Sequence, residues 1–164
     1  ASEFNGPMYI RLTGAVGNPP VNTEEYDFEI GKSITLREGS DITIFATGSM
    51  VFESLEAAKI LDNLGVSATV VNMHTIKPCD FSAIDLAISK SKIIVTVEEH
   101  SIIGGLGSLV SDYKTQFANS PAQLIIGLPD LFGKTAEYRF LLEKYRLVAD
   151  KIAIDIHNFL QKNS

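Results

Sequence analysis

The residue types best suited to chemistry stand together at 92–108, KIIVTVEEHSIIGGLGS: Glu98 and Glu99, then His100, then Gly104, Gly105 and Gly107. An acid beside a histidine can move protons, and a glycine-rich turn before a helix can cradle a phosphate on backbone N–H groups. Spacing argues against each. Glu98 and Glu99 are neighbours on a strand, so they point to opposite faces and cannot act as a carboxylate pair on one substrate. His100 has no nucleophile to activate: no G-x-S-x-G elbow exists, and Cys79 lies in a different loop. A dinucleotide fingerprint G-x-G-x-x-G would need glycine at 105, 107 and 110, and that last position is Val110. The phosphate loop G-x-x-x-x-G-K-[ST] is absent, and DLFG lacks the rest of a kinase signature. The plain reading is a polar strand end, followed by glycines that let a helix start close against a neighbouring surface.

Composition removes other classes. The 14 basic residues against 20 acidic ones give a net charge of -6, with no basic block to track a nucleic-acid backbone. His74, His100 and His157 are far apart, and none stands in an H-x-x-x-H or C-x-x-C frame, so no metal site is expected. No apolar run approaches the ~20 residues of a membrane span. Cys79 is alone and makes no internal disulfide, which suits a reducing cytoplasm. The length of 164 residues fits one domain.

The elements that must position these groups follow from periodicity. Residues 33–39, SITLREG, alternate like a half-exposed strand, and 41–48 form a more continuous apolar strand. Helical spacing runs through 50–64 (Val51, Leu55, Ala58; Ala57, Leu61, Leu64) and stops at Gly65. A strand at 67–76 ends before Pro78. Asp80 then caps a helix with Ile84, Ala87 and Ile88 inside. The strand 92–99 is apolar throughout until its two acids, as in a parallel sheet covered on both faces. A helix at 105–117, a strand at 123–128 and a helix capped by Thr135, with Tyr138, Leu141, Leu142 and Tyr145 on one face, come next. Residues 148–161 fit both periods, and length with a charged outer face favours helix, which leaves His157 facing solvent. Such alternation predicts a three-layer α/β/α sandwich with a mainly parallel sheet. The neighbour of the first strand stays open, because REGSD at 37–41 could close a hairpin or merely redirect the chain.

In open α/β sheets ligands bind beyond the carboxyl ends of the strands. Those ends carry 46–49, then His74 with 75–78, then 98–107, and then 128–133 with Asp130. From the residues alone two readings stay open: an assembly domain of a larger enzyme, or a small nucleotide- or anion-binding domain acting alone. The start of the chain favours the first. ASEF at 1–4 looks like a vector remnant, and a strand-like run at 7–14, PMYIRLTG, follows at once, as in a fragment cut from a longer chain.

The ordered series PMYIRL, ITLREGSDITIFATGSMV, VVNMHTIKPCD, IIVTVEEHSIIGGLGS and IIGLPDLFGKTAEYRFLLEKY resembles the C-terminal domain of the transketolase family of thiamine-diphosphate enzymes. Its wording is most similar to transketolases encoded as separate N- and C-terminal subunits. Deoxyxylulose-phosphate synthase is the nearest alternative, and the β chain of 2-oxoacid dehydrogenases the next. The resemblance implies a five-stranded sheet with one antiparallel strand at 31–164. It implies a linker at 14–30, and at 5–13 the last strand of a preceding pyrimidine-binding domain, displaced or poorly ordered here for want of its sheet. It implies that the diphosphate-binding and pyrimidine-binding domains or subunit hold thiamine diphosphate and a divalent metal (Mg), and that this domain supplies no catalytic, cofactor or metal residue. The full enzyme would be a homodimer moving a two-carbon ketol unit between sugar phosphates. His74, Glu98, Glu99, His100, Gly104, Gly105 and Asp130 would then lie at a domain or dimer interface. Where many family members place a substrate-phosphate arginine, this chain has Gly14, leaving Arg11, three residues earlier, as the candidate. TAEY at 135–138 departs from a common Ser-Gly pair, and YRL at 145–147 from Tyr-Gly-Leu.

Overall fold

The computed structural model describes residues 1, 3–12, 19–22 and 25–163 of the chain. The elements run β1 (Ile34–Arg37), β2 (Ile42–Ala46), α1 (Met50–Asn63), β3 (Ala68–Asn72), α2 (Phe81–Lys90), β4 (Ile93–Ser101), α3 (Leu106–Lys114), β5 (Ala122–Leu128), α4 (Tyr138–Lys144) and α5 (Ala149–Lys162). They build one five-stranded sheet in the order β1-β3-β2-β4-β5. All neighbours are parallel except β1 with β3, as the alternation and the family resemblance imply. The open question about β1 is settled against a hairpin: it pairs with β3, Ile34 opposite Asn72, and leaves β2 between β3 and β4.

Side-chain alternation along the central strands divides the core in two. Ile42, Ile44 and Ala46 of β2 and Ile93, Val95 and Val97 of β4 meet α1, α4 and α5 on one face. Phe45, Val71, Met73 and Ile94 meet α2 and α3 on the other, through Ile84, Ala87, Leu106 and Val110. The chain steps from β2 to β3 in one direction across the sheet and from β3 past β2 to β4 in the other. Crossovers of one hand then place α1 on one face and α2 and α3 on the opposite face. Burial of β4 on both sides accounts for its unbroken apolar run.

The ambiguous last segment is helical. Ile152, Ala153, Ile156 and Leu160 of α5 are buried against the core that α1 also lines. His157 departs from the expectation of a solvated surface residue. It is partly buried, and its Nδ1 is enclosed without a hydrogen-bond partner. Asp80 caps α2 as expected, accepting from the Ala83 N–H at 3.3 Å. At α4 the cap is Glu137, not Thr135: its carboxylate accepts from the Arg139 and Phe140 N–H groups at 3.1 and 3.0 Å. The later start leaves residues 129–137 as a loop over the carboxyl edge of the sheet.

Residues 8–12 make no strand and add none to the sheet. Tyr9 and Leu12 are 87% and 82% exposed. Residue 13 of the expected strand, and Gly14 with residues 15–18, 23 and 24 of the expected linker, lie outside the described residues. The start of the domain proper, just after the linker, is strapped to the β3–α2 loop. Gly31 N–H donates to Thr75 Oγ1 at 3.0 Å, and the Ser33 N–H and hydroxyl both donate to Asp80 Oδ2 at 2.9 Å.

Candidate functional site at the carboxyl edge

The sheet's topological switch point lies between β2 and β4, whose following helices leave toward opposite faces. A ligand in such a fold would enter here. Glu98 and Glu99 stand on β4 at this place and diverge as strand geometry demands.

Glu98 turns to the α3 side and is 2% exposed. Its two carboxylate oxygens accept the N–H groups of Leu106 and Gly107, at 2.8 and 2.7 Å. These are first-turn amides of α3, donors a helix cannot satisfy by itself. The negative charge also lies on the positive end of the helix dipole. Gly105, the residue before the helix, allows this fit. A Cβ there would stand 2.0 Å from Glu98 Oε2, and one at Gly107 would stand 2.5 Å from Ile125 Cγ2. The glycines thus admit a carboxylate and a neighbouring strand, with no room left for a phosphate.

Glu99 turns the other way. Its Oε2 accepts the hydroxyls of Ser49, at 2.5 Å, and Tyr138, at 2.8 Å. These bonds close the switch point, since Ser49 precedes α1 and Tyr138 opens α4. Burial, with the bond to the Glu99 carboxylate, holds the Tyr138 phenol above its ordinary pKa. The Arg11 guanidinium donates to the Glu99 backbone carbonyl at 3.3 and 3.2 Å, so the N-terminal segment reaches the same edge.

The remaining predicted residues are spread along the rim. His100 is half exposed; its Nδ1 lies 2.9 Å from the Ser101 carbonyl and 3.9 Å from Glu98 Oε2. Gly104, at φ 80, donates its N–H to Ser108 Oγ at 2.8 Å. His74 sits beyond the end of β3 under Phe28, ring centroids 4.6 Å apart, with Nδ1 buried and unpartnered. Burial pushes its pKa down, against the pull of Asp80. Burial also pushes the neighbouring Cys79 thiol up to about 11, with Asp80 adding to it, so it is no ready nucleophile. Asp130 lies exposed on the β5–α4 loop.

The sequence reading missed Glu53. It lies in the first turn of α1, is 5% exposed, accepts the Ala149 N–H at the start of α5 at 2.7 Å, and pairs with Arg139. An acid among the small and apolar residues of the helix's inner face (Met50, Val51, Ala57, Ala58, Leu61) was the available signal. Ser49 and Tyr138 had none, because only folding brings residues 50 and 39 positions away to Glu99.

This donor set does not suit the diphosphate and divalent metal of thiamine enzymes. Both oxygens of Glu98 are held by helix amides, Glu99 is bound by two hydroxyls, and the α3 terminus that could take a phosphate is filled by Glu98. Among the described residues no group of three or more His, Cys, Asp or Glu is placed to hold a metal, and no helix is long and apolar enough to cross a membrane.

Fold and site therefore define an open, mainly parallel α/β domain whose ligand crevice is filled by its own side chains. The family model of the transketolase C-terminal domain matches residues 31–152, and the chain belongs to that family. It is 42% identical over 166 residues to a Methanocaldococcus jannaschii protein whose assigned name is a transketolase C-terminal section, covering 98% of this chain and 50% of that one. It is 37% identical over 158 residues to the 1-deoxy-D-xylulose-5-phosphate synthase of Chlorobium luteolum, covering 96% of this chain and 25% of that enzyme. A solved split-gene transketolase, described as an inactive β4 tetramer, superposes with a TM-score of 0.83 at 37% identity, over 90% of this chain and 48% of that one. The chain thus spans half or less of the length of these relatives.

Proposed function

We propose that this chain is the C-terminal domain of a transketolase-type enzyme and serves assembly, while thiamine diphosphate and Mg are held by the diphosphate-binding and pyrimidine-binding domains or subunit. The observation that carries this reading is the engagement of Glu98 and Glu99 inside the domain. The edge that would hold a ligand instead offers loops, with Ile103, Leu131 and Phe132 exposed on them. Apolar loop tips suit a neighbouring domain better than a charged small molecule. The whole enzyme would transfer a two-carbon ketol unit between sugar phosphates as a homodimer, the cofactor stabilising the carbanion. Residues 5–13 would be the last strand of the pyrimidine-binding domain and 14–30 the linker. Residues 1–4 would be a vector remnant. Arg11, at the same edge as Glu99, is then the residue we place near a substrate phosphate. The split-gene relative's description as a tetramer of one subunit type supports self-association of such a chain.

Calorimetric titration of the chain with Mg and thiamine diphosphate tests the reading. No heat of binding is expected from the chain alone. Ketol transfer from a sugar phosphate is expected only after mixing with the missing subunit or domains. Micromolar cofactor binding by the 164 residues would refute it. Deoxyxylulose-phosphate synthesis by the reconstituted enzyme would favour the second relative's activity.

A further inference from the structure

The chain is fastened to the β3–α2 loop just before β1 begins, and the seat is closely built. Gly31 has φ 88, and a Cβ there would stand 2.9 Å from Pro78 Cγ, so glycine lets the segment lie this near the loop. Its N–H donates to Thr75 Oγ1, and Ser33 donates twice to Asp80 Oδ2. Upstream of these bonds the Phe28 ring lies against the imidazole of His74, centroids 4.6 Å apart. Apolar burial adds little, since Tyr26, Phe28 and Ile30 all stay exposed. A segment that buries so little apolar surface opens at small cost.

His74 is the odd member of this seat. Its Nδ1 is enclosed and meets no hydrogen-bond partner among the described residues. A neutral imidazole tolerates this, because one ring nitrogen is then a bare acceptor. An imidazolium does not, because both nitrogens carry N–H, and an enclosed donor without an acceptor is costly. A cation–π attraction to the Phe28 face works the other way, but it supplies no acceptor for that proton. The segment itself brings Glu25, Asp27, Glu29 and Lys32 to this place, and the β3–α2 loop brings Lys77, Cys79 and Asp80. The β2–α1 turn, at the neighbouring strand end, brings no ionisable group between Thr47 and Phe52. Burial disfavours the charged imidazole and outweighs the pull of Asp80. Asp80 itself stays ionised at neutral and mildly acid pH: burial raises its pKa, but bonds from Ser33 and Ala83 and the charge of Lys32 hold it below 3.8. The Cys79 thiol, at about 11, stays neutral there. His74 is thus the group at this seat that titrates between pH ~5 and ~8.

We infer that residues 28–33 are a proton-sensitive strap, which stays on the β3–α2 loop while His74 is neutral and lifts when the imidazole takes up a proton. Lifting Phe28 opens Nδ1 to water, which accepts the hydrogen bond that the strapped form denies. The sign follows from linkage. A histidine whose cation is disfavoured in the strapped state leaves the strap at full strength above the ordinary value of ~6.5, and weakens it as pH falls below that. The strap fixes where the preceding chain leaves the domain, so its release frees that chain to change direction. The device is complete within this chain and holds whether or not the domain serves assembly.

The test is hydrogen exchange of the Gly31 and Ser33 amides in the full chain, followed by NMR and corrected for the intrinsic pH dependence, so that it reports opening of their bonds to Thr75 and Asp80. Opening should increase by about threefold or more from pH ~7.5 to ~5, while the amides of β4 do not follow. In His74→Gln it should not vary with pH. Phe28→Ala should uncover the imidazole and move the His74 titration midpoint, read by NMR, up toward the ordinary value. Opening that is flat with pH in the parent, that rises equally in His74→Gln, or that is shared by the β4 amides overturns the strap, as does a midpoint unmoved by Phe28→Ala. If His74→Gln loses its fold by circular dichroism, the Phe28→Ala midpoint decides alone. A flat profile in a chain that binds no thiamine diphosphate would refute the strap and leave the assembly reading intact.

Discussion

Glu98→Ala tests the central claim, that an acid resembling a catalytic group is the cap of α3. The substitution leaves the N–H groups of Leu106 and Gly107 facing a dry cavity, because Glu98 is 2% exposed and its oxygens are their acceptors at 2.8 and 2.7 Å. A buried donor left without a partner costs about 1–3 kcal/mol. Removing a negative charge from a helix N-terminus adds about 0.3–1 kcal/mol. With two such donors the expected loss is therefore about 2–7 kcal/mol, a large part of the ~5–15 kcal/mol that stabilises an ordinary domain. Glu98→Gln keeps the shape and one acceptor but turns an NH2 group toward a helix amide, so it should lose about 1–3 kcal/mol. Glu99→Ala removes bonds to two side-chain hydroxyls that can turn to other partners, and should lose about 1 kcal/mol. Urea unfolding followed by circular dichroism reads all three, provided the slope with denaturant is unchanged. Glu98→Ala within about 0.5 kcal/mol of the parent would refute the capping argument and return Glu98 to the list of candidate functional acids.

Three further outcomes follow from the same geometry. Gly105→Ala should destabilise the fold by displacing Glu98 from α3, because the added Cβ would stand 2.0 Å from Oε2; an unchanged melting temperature would contradict it. The Asp41 carboxyl is held below its ordinary 3.8 by its bond to Lys92, with a second from the Ser67 N–H. A lowered folded-state pKa stabilises fully above the unfolded value and is lost as pH falls through the folded one, so Asp41→Asn should cost stability at pH ~7 and progressively less below pH ~4 in urea titrations. The Cys79 thiol, raised from 9.0 to about 11, should hold roughly a hundredth of the thiolate of a free thiol at pH ~8. Slow alkylation of the native protein and fast alkylation in denaturant is expected; rapid native labelling would refute the raised thiol pKa of this half-buried side chain.

Much of the architecture was legible because it rests on local periodicity. The β4 run declared a strand covered on both faces, the spacing in 50–64 declared α1, and Asp80 declared the start of α2. The cap of α4 was misplaced because Thr135 and Glu137 are both plausible caps two residues apart, and the choice depends on where the loop from β5 lands. Residues 148–161 fit two periods, and packing of Ile152, Ile156 and Leu160 in the core shared with α1 selected the helix. His157 was misjudged for a related reason: periodicity gives a face, not the depth to which that face is covered.

For KIIVTVEEHSIIGGLGS, sequence alone determined that the two acids diverge, since adjacent strand residues must, and that the glycines match no phosphate loop. It also determined the family, through five segments in order. Only the tertiary structure decided what each acid meets. Glu98 reaches amides eight and nine residues on, Glu99 reaches hydroxyls 50 and 39 residues away, and Glu53 reaches a helix start 96 residues later. Pairings of that separation leave no periodic trace, because no local rule fixes where two distant elements will touch.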